Sequence, residues 1–231
     1  MENNLLKNAG PMLEKVNRRY FLRSAGVAAT TGAFIMGCTL DDHNIPGEEV
    51  VDLGVGDIGI LNYAYALEQL EAAFYTQVIM TPYAGMSEEE KTILTDIMYH
   101  EIIHRQFFKA ALGAAAIKGL TPNFGGIDFS SRGSVLGAAK LFEDTGVQAY
   151  NGAGNLIKDV NYLLIAGKIV SVEARHAAAI RDLLNPNSMD FAGDDVVDTV
   201  NGFDKAVKPG VILPAVQPFV VNKISGSGLP S

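Results

Sequence analysis

Glu68, Tyr75 and Glu101-Ile-Ile-His104 are echoed further along the chain by Glu143, Tyr150 and Glu173-Ala-Arg-His176. Each Glu-to-Tyr step is seven residues, and each set closes with Glu-x-x-His. The doubled set holds four carboxylates and two imidazoles, the inventory with which four facing helices bind two metal ions in a bundle core. In Glu-x-x-His the three-residue step keeps both side chains on one helix face, so a carboxylate oxygen and an imidazole nitrogen reach the same ion. Each helix pair then supplies a terminal glutamate, a bridging glutamate and a histidine. A mixed oxygen and nitrogen shell suits iron first, manganese next, with zinc possible.

The acids lie where acids are costly. Glu68 falls on a stripe with Leu61, Ala64, Glu71, Tyr75 and Val78. Glu101 and His104 fall on one with Leu94, Ile97, Phe108, Ala111 and Ala115. Glu143 lies on a stripe with Leu136, Ala139, Val147 and Tyr150, and Glu173 and His176 with Leu163, Ala166, Val170, Ile180 and Leu183. A lone buried carboxylate costs several kcal/mol or shifts its pKa until it is neutral. Two divalent cations balance four such charges. A seven-residue step returns to nearly the same face about 10 Å along the axis. Tyr75 and Tyr150 can therefore each hydrogen-bond a ligand of the other half. Glu71 and His100 are read as groups behind the ligands or on the outer face, with Glu71 open also to serving as an alternate ligand.

These stripes recur at helical spacing and predict four helices, over 57–80, 88–118, 132–151 and 156–185. Ser87-Glu88-Glu89-Glu90 is a capping box that starts the second. Residues 120–131, rich in Gly, Pro and Asn, form a longer crossing connection, so the helices make two antiparallel pairs. Glu68 to Glu101 is 33 residues but Glu143 to Glu173 is 30, a shortfall of about one turn at the third junction. Glu143 is thus the acid whose depth the spacing fixes least. Residues 57–186 form the bundle. Residues 187–231, with four prolines, are expected to wrap it as an extended tail docking through Val211 to Val221, with strand content close to nil. The apolar run Tyr162 to Val170 contains Lys168 and reads as a core segment of the fourth helix.

The chain has 231 residues, 48% of them hydrophobic, enough for a real core. Its net charge of -8 understates the acidity beyond residue 37, because residues 1–37 hold five basic and two acidic side chains. A surface this acidic repels phosphate backbones, which argues against nucleic-acid binding. The single cysteine, Cys38, excludes an intrachain disulfide framework. Asn17-Arg18-Arg19-Tyr20-Phe21-Leu22-Arg23 resembles a twin-arginine export signal, and the weakly apolar run from Ser24 to Gly37 is too short to span a bilayer. Ile35-Met36-Gly37-Cys38 resembles a bacterial lipoprotein cleavage box. Residues 1–37 are then a signal peptide, Cys38 a lipidated first residue, and 38–56 a tether carrying a solvated His43. The expected location is periplasmic or cell-surface, anchored in the membrane through Cys38.

Glu68-Gln-Leu-Glu-Ala-Ala-Phe-Tyr75, His100-Glu101-Ile-Ile-His104, Gly146-Val-Gln-Ala-Tyr150 and Val172-Glu173-Ala-Arg-His176 resemble the ferritin-like domain family, which includes desiccation-related proteins and bacterial exported proteins. The resemblance covers roughly 57–185 and implies an all-α, ferritin-like four-helix bundle with a crossover connection. It further implies that Glu68 and Glu143 are terminal ligands and Glu101 and Glu173 bridging ones. The expected activity is O2- or peroxide-linked redox or ferroxidase chemistry, with metal ions and small oxidants as partners and a homodimer possible. The rival reading is a structural or stress-protection module without turnover. A remote one is a zinc protease, since His100-Glu101-Ile-Ile-His104 also fits that pattern. No third-ligand segment follows it, and it leaves the Glu173–His176 duplicate unexplained.

Overall fold

The computed structural model describes residues 50–231, so the signal segment, Cys38 and His43 lie outside the described residues. Four long helices dominate: α1 (Gly56–Met80), α2 (Glu88–Leu112), α3 (Arg132–Gly154) and α4 (Val160–Leu184). The seven residues 81–87 join α1 to α2, and the five residues 155–159 join α3 to α4. Connections this short force antiparallel neighbours, and α1 packs mainly on α2 and α3 on α4. Residues 113–131 carry the chain from the end of α2 back along the bundle to the start of α3. Asn62 and Gln69 of α1 hold this strap, accepting from the backbone amides of Ile117 at 2.9 Å and Leu120 at 2.8 Å.

Local chemistry sets the helix ends. Ser87 Oγ accepts from the Glu90 amide at 3.1 Å while Glu90 Oε2 accepts from the Ser87 amide at 2.9 Å, the reciprocal cap that starts α2. Glu90 also accepts from Arg132 Nε at 2.6 Å, and Arg132 Nη2 donates to the Leu183 carbonyl at 2.7 Å. One arginine thus gathers the beginnings of α2 and α3 and the end of α4. The second helix stops at Leu112, short of the expected 118. Gly113 there takes φ +55, a left-handed conformation that ends α-helical bonding, and a single 3-10 turn follows. The fourth starts at Val160, later than 156, because Asp159 caps it by accepting from Asn161 N at 2.8 Å. Asp57 of α1 holds the preceding loop through the amides of Lys158 and Asp159.

Three further expectations are corrected. Residues 50–56, read as the end of a tether, belong to the fold: β1 (Val50–Asp52) pairs in parallel with β2 (Lys223–Ser225), and Leu53 is fully buried. The tail is not wholly extended either, since Pro209–Val216 forms a fifth helix, α5. Its Ile212 and Val216 join the main core. Gly152 permits the tail's approach to α3, because a Cβ there would stand 1.9 Å from the Val207 carbonyl oxygen. The run Tyr162 to Val170 is only partly core. Ile169 is buried, whereas Leu163 and Leu164 face out. Among the described residues no helix is long and apolar enough to cross a membrane.

Candidate metal centre

All four repeated glutamates are fully buried: Glu68, Glu101, Glu143 and Glu173 each show 0% exposure. Helical periodicity brings them inward from four different helices, and antiparallel pairing brings them to one level. Glu101 and Glu173 each stand thirteen positions beyond the first residues of their helices, Glu88 and Val160. The unequal 33- and 30-residue spacings therefore do not displace Glu143. The shortfall lies in the shorter connection 155–159 and one residue at the end of α3, outside the cluster.

The side chains gather into two overlapping groups. One holds Glu68, Glu101, His104 and Glu173; the other holds Glu101, Glu143, Glu173 and His176, and in each the candidate ligand atoms lie within 4.8 Å of one another. His104 Nδ1 lies 3.3 Å from Glu68 Oε2, 3.6 Å from Glu101 Oε2 and 2.9 Å from Glu173 Oε1. His176 Nδ1 lies 2.8 Å from Glu101 Oε1, 3.4 Å from Glu143 Oε2 and 3.5 Å from Glu173 Oε2. Glu101 and Glu173 thus give one oxygen to each group, whereas Glu68 and Glu143 each serve one. The approaches are short but badly aimed for hydrogen bonds. Both Nδ1 atoms, both oxygens of Glu101 and Glu173, and Oε2 of Glu68 and Glu143 lack a hydrogen-bond partner. Buried polar atoms are seldom left so. Atoms that converge on common centres instead of on each other fit two cations.

The groups behind this layer complete its geometry. Tyr75 of α1 donates to Glu143 Oε1 at 2.5 Å, and Tyr150 of α3 donates to Glu68 Oε1. Each tyrosine crosses to the other half, and each holds the outer oxygen of its glutamate so that Oε2 turns inward. His100 Nδ1 lies 2.8 Å from His176 Nε2, with the rings stacked at 5.1 Å. With the hydrogen on His176 Nε2, the Nδ1 lone pair faces the cluster, the tautomer a metal requires. Neither four-residue group includes His100, so the zinc-protease arrangement does not assemble.

Glu71 is not an outer-face residue. It is 3% exposed, and its Oε1 would stand 3.0 Å from a Cβ built on Gly146. Sequence reasoning missed Gly146 as the residue that admits this fifth carboxyl. Its signal was available: the glycine falls one turn after Glu143 on the same inward stripe.

The cluster's own side chains are in electrostatic conflict. Burial, and then the charges of Glu101, Glu173, Glu143 and Glu68, push the Glu71 carboxyl well above the usual range. Burial and the neighbouring Glu173 do the same to Glu101, against the pull of both histidines. Burial raises Glu143 to about 7, although His176 opposes it. Glu173 goes the other way, to about 2, because contact with His104 and His176 outweighs its burial. His176 is pushed up to about 12: burial works against its proton, but Glu143, Glu101 and Glu173 overcome that. His104 is raised similarly by Glu68, Glu101 and Glu173 against its burial.

A family model described as "Ferritin-like domain" matches residues 56–186, more than half of the chain and all four long helices. A search of curated proteins finds no match.

Proposed function

From the premise that the chain belongs to the ferritin-like domain family, we propose that its acidic core binds two transition-metal ions and carries out O2- or peroxide-linked redox chemistry. The observation that supports this most is the sharing of Glu101 and Glu173, one oxygen to each group. Two imidazoles among carboxylates favour iron, then manganese, over harder cations. Two Fe(II) ions held by Glu68, Glu101, His104, Glu143, Glu173 and His176 would supply the two electrons that, with two protons, reduce O2 to hydrogen peroxide.

The protein's own contribution is position and charge. Tyr75 and Tyr150 fix Glu143 and Glu68, and His100 fixes the ring of His176. His104 is the more accessible of the two candidate histidine ligands, with 12% of its side chain exposed against 5% for His176. Glu71 lies behind the ligand layer as a carboxyl able to hold a proton there.

Anaerobic loading with Fe(II) followed by O2 separates turnover from mere storage of metal. The expected result is oxidation faster than that of free Fe(II), with a transient absorbing species. Oxidation at the rate of free Fe(II) would favour the non-catalytic module. We also propose export by the twin-arginine route and lipidation at Cys38, on the sequence of residues 17–38. The mass of protein recovered from membranes should equal a diacylated chain beginning at Cys38, and an unmodified chain starting at Met1 would refute this.

A further inference from the structure

Among the differences between the two halves of the repeat, one stands immediately before each tyrosine. Phe74 precedes Tyr75, but Ala149 precedes Tyr150. Phe74 fills its end of the bundle, with ring centroids 5.1 Å from Tyr75, 5.0 Å from Phe142 and 5.8 Å from Phe124. At the opposite end the alanine leaves room. A cavity of about 20 Å³, measured as space open to the centre of a water-sized molecule, lies among Ala64, Ala149, Ala153, Ala166, Phe108 and Tyr150.

Its position relative to the cluster follows from helix geometry. Ala64 stands four residues before Glu68, and Phe108 four after His104, so the cavity lies about one turn, ~6 Å, from the ligand layer. Tyr150 forms the wall between, with its ring on the cavity and its hydroxyl on Glu68. Partly exposed Ala166 borders the cavity and offers a way in from α4.

The cavity could hold one water by size, but a buried water needs two to four polar partners. The lining is carbon almost throughout, and the Tyr150 hydroxyl is already engaged. Tyr63 also borders the space, and its buried hydroxyl lacks a partner, yet one hydroxyl falls short of that need. Apolar cavities of this kind stay dry and take up apolar guests such as xenon.

We propose that this cavity is a binding site for a small apolar diatomic gas, O2, and feeds it to the cluster past Tyr150. The inference rests on the O2-linked reading above for its purpose, though not for its existence. At the other end the Phe74 ring packs against Tyr75, Phe142 and Phe124 where this end has alanine, so delivery is assigned to the Glu68 side of the centre.

The test uses crystals of the full chain under xenon pressure, with the same chain loaded with Fe(II) in solution. Xenon is expected between Ala64, Ala153 and Tyr150. Ala153→Val and, at a partly exposed position that tolerates bulk, Ala166→Leu should each expel it. Both should slow Fe(II) oxidation several-fold at limiting O2, while metal content and oxidation by added peroxide stay at wild-type values. An empty cavity under xenon overturns the proposal. So does xenon expelled from a folded, metal-replete variant whose O2 dependence is unchanged. Xenon bound in a chain that takes up no metal would support the gas site and refute the metal reading separately.

Discussion

A Glu101→Gln chain is expected to lose the paired metal site and yet, metal-free, to unfold no more easily than the wild type. Glu101 supplies an oxygen to both four-residue groups, so its loss weakens both sites at once. Each occupied site adds about 2.7 kcal/mol at a hundredfold excess of metal over its dissociation constant, so the loaded variant should fall short by about 5 kcal/mol. Without metal the balance reverses. Burial and the neighbouring Glu173 push the Glu101 carboxyl well above its usual range, which disfavours its charge, and a neutral amide of the same shape replaces it at little cost.

The pH dependence of the metal-free protein follows with a definite sign. The folded chain keeps protons on Glu71, Glu101, His104 and His176 that the unfolded chain releases above its ordinary carboxylate and imidazole values. Folded protein therefore binds more protons between about pH 5 and 8, and stability falls as pH rises across that window. Glu173, lowered to about 2, acts only below its unfolded value and does not alter this sign. Glu101→Gln should flatten the slope. Thermal melting in chelator at several pH values measures it, and a wild-type stability that rises from pH 5 to 8 would count against the bare acidic core.

Arg181→Ala should be the most damaging single change away from the cluster, costing about 3–5 kcal/mol. Arg181 is 2% exposed and grips Asp144 of α3 with two bonds, Nε to Oδ1 at 2.8 Å and Nη2 to Oδ2 at 2.7 Å. It also holds Asp195 through two bonds and the Asp190 carbonyl at 3.0 Å. One guanidinium thus clamps α3 to α4 beside Glu143 and pins the start of the tail. Most of the cost comes from leaving Asp144 half-buried without a partner, because Asp195 is largely exposed and screened. Arg181→Lys should recover only part, since an ammonium cannot reproduce the paired geometry. Denaturant unfolding measures both, and a loss below about 1 kcal/mol for the alanine variant would show that the clamp is idle.

The main bundle and its acid–histidine layer were legible because they contradict ordinary patterning. Glu68, Glu101, Glu143 and Glu173 interrupt apolar stripes, and their repetition with histidine removes coincidence. The strap was legible from 120 to 131 through its Gly and Pro content, whereas its beginning at Gly113 reads as a continuation of the second helix. What escaped was nonlocal. Glu71 stands on the stripe, but its own helix does not decide between a place behind the ligands and the outer face; Gly146 on another helix makes the space that keeps it inside. The strand Val50–Asp52 has no signal of its own, because its partner Lys223–Ser225 lies at the other end of the chain. Helix α5 was hidden by Pro209 and Pro214. Proline at a first helical position is favourable, and in so short a helix the second removes little bonding. The spacing shortfall that singled out Glu143 could not reveal that a loop absorbs it.

Metal content per chain tests the central claim most directly. The folded domain, stripped with chelator, loaded anaerobically with Fe(II) and freed of excess metal, should hold two ions per chain by elemental analysis. Glu101→Gln prepared in parallel should hold fewer than one. A wild-type chain that retains no metal, or a Glu101→Gln chain that retains two ions, would contradict the account.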